Sequence, residues 1–160
     1  MNSAVHATAR LCAASAADAL AHLASAAGLA RWSLGLDGCR ETDVAGLYTG
    51  TSRYDGSVGW VAVTVDAARG LVDYAVGASA QTLVPRIRAC VQPAEALGYP
   101  PGRCLVTLLA WRAAAMDDAR WQRLVHAHEA EIELIQAQLA QPHAAPAGRS
   151  GPPAATPPGR

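Results

Sequence analysis

The sequence predicts an α+β domain: an N-terminal helix, a small antiparallel sheet of about four to five strands, a middle helix and a C-terminal amphipathic helix. Three observations carry this expectation. Val58–Val65 places Val58, Trp60, Ala62 and Thr64 on one face and Val61, Val63 and Val65 on the other, the pattern of a strand central in its sheet. Trp121, Val125, His128, Ile132, Ile135 and Leu139 recur at steps of four and three residues, which puts them on one stripe of a helix over Asp117–Gln141. Turn signals at Asp37-Gly38, Asp55-Gly56 and Tyr99-Pro100-Pro101-Gly102 divide the chain into short elements between them.

Taken in order, Ser3–Gly28 reads as the first helix, because Val5, Ala9, Cys12, Ala16, Leu20, Leu23 and Ala27 share a stripe of mostly small residues. Gly28 suits its C-terminal stop. Trp32–Leu36 and Val44–Thr49 are short strands. Val58–Val65 and Leu71–Val76 form a hairpin across the Asp66–Gly70 loop. Ser79–Val91 reads as the middle helix, with Leu83, Val84, Ile87, Cys90 and Val91 on one side. Its start is placed near Thr82, because Pro85 is tolerated only in a first turn. Cys104–Ala110 is a further strand. Asp117 or Asp118 caps the last helix. Its stripe spans under three heptads, so it packs on the sheet or joins a dimer. Residues 1–141 thus form one domain. Pro142–Arg160, with six Pro and three Gly and no large apolar side chain, is expected to be a disordered tail.

The 160 residues have zero formal net charge, no Lys and no Phe. A balanced charge removes the electrostatic basis for nucleic-acid binding and for a polybasic membrane patch. No apolar run reaches the length of a membrane span. Leu11–Ala17 resembles a signal-peptide core, but Asp18 and His22 interrupt it, so a cytoplasmic protein is expected. Cys12, Cys39, Cys90 and Cys104 form no C-x-x-C pair and read as reduced, buried thiols, although an even count permits two disulfides in an oxidising compartment.

The sequence carries few signs of chemistry. Gly50–Ser57 is rich in Gly and hydroxyls, but it lacks the Lys and the following helix of a phosphate loop and reads as a hairpin loop. Asp37, Glu41 and Asp43 cluster in a loop without EF-hand spacing. His126 and His128 lie two apart on a helix, pointing about 200° from one another, and cannot chelate one ion. No nucleophile-elbow motif accompanies the cysteines. No catalytic residue, cofactor or metal is assigned, and the chain is expected not to be an enzyme.

The order of elements resembles the small chaperones of type III secretion, the Tir-chaperone-like family. The likeness rests on Leu20–Leu29 running into Leu34–Gly38, on Leu71–Val76 leading into Ser79–Val91, and on Met116–Val125 and the helix that follows. It implies a homodimer that holds the extended N-terminal segment of a secreted effector, through apolar pockets and strand addition. On that reading Trp32, Leu34, Leu36, Trp121, Val125, His128 and Ile132 are the candidate partner-binding residues. Two alternatives stand beside it. One is a structural subunit of a phage or secretion assembly. The other is a small ligand-binding or enzymatic domain, with a site near Asp37–Ser57 and a closed pocket joining that loop to His126 or His128.

Overall fold

The computed structural model describes residues 3–141; the tail expected over Pro142–Arg160 lies outside them. The chain runs β1 (Val5–Cys12), α1 (Ala16–Ala24), α2 (Ala26–Trp32), β2 (Leu36–Glu41), β3 (Leu47–Ser52), β4 (Val58–Asp66), β5 (Leu71–Gly77), β6 (Val84–Pro93), a 3-10 turn (Ala94–Leu97), β7 (Cys104–Trp111) and α3 (Asp118–Leu139). The seven strands form one antiparallel sheet in the order β1-β7-β6-β5-β4-β3-β2.

The sheet has seven strands, not four or five. The N-terminal helix does not exist over its first half: Val5–Cys12 is β1, paired with β7 from Val5↔Trp111 to Cys12↔Cys104. In β1 Thr8 and Cys12 are buried while Val5, Ala7 and Ala9 are exposed. Alanine hides the difference, because it fits a helical stripe and a strand face equally well. The chain turns helical only at Ser15, whose hydroxyl accepts from Asp18 N–H and caps α1. Ser25 caps α2 in the same way through Gly28 N–H.

Trp32 closes α2, so the strand expected over Trp32–Leu36 starts only at Leu36. The strand expected at Val44–Thr49 starts at Leu47. The middle helix over Ser79–Val91 is β6, a strand with ladder partners on both sides. The Ile87-Arg88-Ala89 alternation fits that strand, and Pro85 lies at its irregular end, where β7 does not pair. The β4–β5 hairpin, β7 and α3 lie where the sequence places them.

α3 lies along β1 and β7, and its stripe faces the core: Trp121, His128, Ile132, Ile135 and Leu139 are all buried. Side chains lock it to the edge strand, with Thr8 donating to Glu129 (3.0 Å) and Arg10 paired with Glu133. Asp117 caps its N-terminus through Arg120 N–H (2.7 Å). The other end of the sheet is closed by the α1–α2 junction. There the Tyr74 hydroxyl donates to Leu23 O and the Tyr48 hydroxyl to Ala24 O, each at 2.9 Å. The main core gathers Leu23, Leu29, Trp32, Val72, Val91, Val106, Leu108, Ile132 and Ile135 between these layers. Among the described residues no helix is long and apolar enough to cross a membrane.

Candidate ligand-binding site

Between α3 and strands β3–β6 the layers do not fully meet, and they leave a cavity of about 440 Å³. Its depth is set by Trp32 of α2 and Tyr74 of β5, both 2% exposed, with ring centroids 5.8 Å apart and planes at 77°. That edge-to-face contact is a favourable aromatic geometry. Val61, Val76 and Ile87 line it from the sheet; Leu124, Ala127, His128 and Glu131 line it from α3. The rim carries exposed Tyr54, Val58 and Val84. Gly59 lies against Leu36: a Cβ there would stand 2.7 Å from the leucine Cδ1 and would push that side chain from its present place at this wall. A second depression, along Leu11, Arg103, Leu134 and Ala137 on the outer side of α3, is a surface groove whose polar groups Gln136 and Glu133 already bond Leu11 O and Arg10.

The enclosed cavity differs in its polar atoms. Trp32 Nε1, Arg86 Nε and both ring nitrogens of His128 are buried and have no hydrogen-bond partner within the described residues. Buried donors and acceptors are almost always satisfied, by protein or by ordered water, and four such atoms sit on residues lining this one cavity. Glu131, 5% exposed, accepts from Leu34 N–H at 2.7 Å and so ties α3 to the α2–β2 loop. Its Oε2 lies 3.8 Å from His128 Nε2, one helical turn away and too far for a hydrogen bond.

Burial governs the charges of this pair. It pushes Glu131 up to about 7, against the pull of the Leu34 and Gly35 backbone N–H groups. It pushes His128 down to about 4, assisted by His6, whose ring centroid lies 6.0 Å away. Between those values a neutral carboxylic acid stands beside a neutral imidazole, because ionising either one in the interior forfeits its hydration.

Arg86 reaches the cavity through an irregularity in the sheet. Tyr74 pairs with Ile87, but the next residue, Ala75, pairs with Pro85, so Arg86 is the extra residue of a β-bulge. Regular alternation would put Arg86 on the same face as Arg88, which turns away to grip Asp73 (2.6 and 2.8 Å). The bulge turns Arg86 to the cavity side with Val84 and Ile87. Its Nη2 touches Met116 Sδ at 3.8 Å, and no carboxylate among the described residues lies within ion-pair distance.

The structure divides the residues proposed from sequence for partner binding. Trp32, Leu36 and His128 line the cavity. Leu34 sits in the α2–β2 loop and holds Glu131 through its backbone. Trp121 packs with Ala110 and Met116, with Val125 against that cluster, and Ile132 is in the main core. Of the loop proposed as an alternative site, Ser52, Tyr54, Asp55 and Ser57 reach the cavity, as does His128, whereas His126 is exposed. Asp37 instead pairs with Arg53 at 3.0 Å. No group of three or more metal-ligating side chains lies together among the described residues. Sequence reasoning missed Arg86 and Glu131. The signal for Glu131 was its place three residues after His128 and four before Ile135, on the apolar stripe.

No protein-family model and no curated protein matches the chain. Solved structures do. XoxI from Bacillus cereus aligns with a TM-score of 0.63 at 12% identity, over 86% of this chain and 96% of its own. A START superfamily protein from Mycobacterium smegmatis aligns at 0.60 and 13%, over 84% and 96%. The Zhui aromatase/cyclase from Streptomyces sp. R1128 aligns at 0.58 and 14%, over 84% and 92%. The chain has a START-type helix-grip fold. This overturns the resemblance to type III secretion chaperones, which needed a helix over Ser79–Val91, where β6 stands; none of these similar structures is a chaperone. A helix-grip sheet explains why α3 and the sheet enclose a cavity between them. One of its solved examples is an enzyme, so the fold does not support the expectation of a protein without catalysis.

Proposed function

We propose that this protein binds a small, largely apolar organic molecule in the cavity between α3 and the sheet. The observation that carries the reading is the set of unpartnered buried polar atoms, on Trp32, Arg86 and His128, lining a mostly apolar chamber. An apolar chamber with a few convergent polar groups is the usual form of a small-molecule site, and about 440 Å³ falls in the range such sites occupy. Burial of the ligand's apolar body supplies the affinity; the polar atoms fix its orientation. The START superfamily protein among the structural neighbours supports a fold suited to this use.

Turnover of the bound molecule is the second reading. Glu131, held near 7, exchanges its proton close to neutral pH beside an imidazole that stays uncharged, which suits acid–base work on a ligand in the same cavity. That Zhui is an aromatase/cyclase supports this reading as well.

The test is displacement. An apolar fluorescent dye should light up on the wild-type protein and be quenched by competing small apolar molecules. Ala127→Phe, which fills the cavity from α3, should abolish dye binding while leaving the far-ultraviolet circular dichroism unchanged. Dye binding that survives Ala127→Phe would place the apolar site elsewhere and defeat the proposal.

A further inference from the structure

We infer that the ligand of this cavity is an organic anion, an apolar body carrying a carboxylate, and that Arg86 receives the carboxylate; the inference rests on the ligand-binding reading above. Three features lead to it. The bulge at Arg86 spends the regularity of the β5–β6 ladder on turning one cationic side chain inward. The inward arginine finds no carboxylate among the described residues, although the chain provides partners for Arg10, Arg53, Arg69, Arg88 and Arg112. Arg88, two residues along the same strand, shows the pairing this chain uses on the outward face: both Nε and Nη2 engage Asp73. In the cavity the corresponding Nε of Arg86 is buried with nothing to donate to.

A guanidinium keeps its charge when buried, so a neutral site is not available by proton loss. Its planar fork matches a carboxylate through two parallel hydrogen bonds, and a partly desolvated fork strengthens them. Arg120 also lines the cavity, and its charge bears on Arg86, so the mouth presents two cations to an incoming anion. Asp55 offsets part of that charge at the rim. Glu131 lies at the other pole, held by Leu34 and beside His128. The chamber is therefore polarised: the anionic end of a ligand belongs at β6 and its apolar body against Trp32, Tyr74 and Val61. The Trp32 N–H and His128 are left to meet a neutral oxygen on that body.

The experiment compares charged and neutral isosteres of one shape. Binding of 2-naphthoate and 2-naphthamide, and of decanoate and decan-1-ol, is measured by calorimetry on the full chain. The measurements cover wild type, Arg86→Lys, Arg86→Met and the outward control Arg88→Met. The wild type should favour each acid over its neutral counterpart by roughly tenfold or more, the worth of a charge-assisted pair. Arg86→Met should erase that preference while still binding the neutral compounds; Arg86→Lys should keep part of it; Arg88→Met should match wild type. Equal binding of acids and neutral isosteres by wild type would overturn the inference and leave the cavity reading standing. So would a preference that survives Arg86→Met. Failure of all four compounds to bind wild type would overturn both. Should Arg86→Met not fold, the wild-type preference and Arg86→Lys still decide the matter.

Discussion

Glu131→Gln should make the protein more stable, and the gain should depend on pH in a way that identifies its origin. The folded-state pKa of Glu131 is raised to about 7 from an ordinary value of 4.5. Between those values the native protein binds more protons than the unfolded chain, so stability falls as pH rises. At about 1.4 kcal/mol per pH unit, the loss is complete above pH 7 and comes to about 3 kcal/mol. Glutamine has the same shape, carries no charge, and its Oε1 can still accept from Leu34 N–H.

His128 runs in the opposite direction. Its pKa is lowered from 6.5 to about 4, so the unfolded chain binds the extra proton and stability is lost as pH falls through that interval. In wild type the two slopes oppose one another between about pH 4.5 and 6.5. In Glu131→Gln only the His128 slope remains. The groups facing this pair are His6 and Glu129 on the histidine side, and Tyr54 and Tyr74 on the carboxyl side. Both tyrosines are themselves raised and stay neutral over this range. Urea unfolding followed by tryptophan fluorescence at pH 4.5, 6 and 8 provides the assay. The variant should match wild type at pH 4.5 and exceed it by about 3 kcal/mol at pH 8. An advantage of the same size at all three pH values would refute the reasoning, since it would come from packing and not from the cost of a buried charge.

Two further outcomes follow from the packing. Tyr74→Phe removes the hydroxyl that bonds Leu23 O and leaves that carbonyl buried without its donor, so it should cost about 1–3 kcal/mol in the same urea assay. Cys12 and Cys104 face one another across β1 and β7, both fully buried, and the neighbouring Cys104 thiol together with burial raises the Cys12 thiol far above its ordinary range. Neither should react with an aromatic disulfide reagent until the protein unfolds, whereas the partly exposed Cys39 and Cys90 should react in the native state.

Parts of this architecture were legible in the chain because local pattern and tertiary role agree. Val58–Val65, apolar on both faces and rich in β-branched residues, and Cys104–Ala110, a short apolar run after a Pro-Pro-Gly break, stand as the strands expected, and the stripe from Trp121 to Leu139 lies on α3 where its period puts it. Val5–Cys12 and Val84–Pro93 were misread as helical because alanine and short apolar residues satisfy both periods. Such a segment is decided by its partner: β1 is a strand because β7 presents an unpaired edge along its length, and β6 because β5 and β7 flank it. The resemblance to secretion chaperones failed with the second of those segments, which it had taken for the middle helix.

The candidate site divides along the same line. That His128 lies on a buried stripe could be read from spacing; a pocket joining the loop ending at Ser57 to His126 or His128 was only what one alternative reading implied. The inward aim of Arg86 could not. A two-residue period assigns it to the face of Arg88, and only the one-residue slip against β5, a property of two strands paired in space, turns it to the cavity. The sequence by itself determined which segments could bury a face. The tertiary structure alone decided which charges that burial would enclose, because desolvation depends on everything packed around a group and not on its neighbours along the chain.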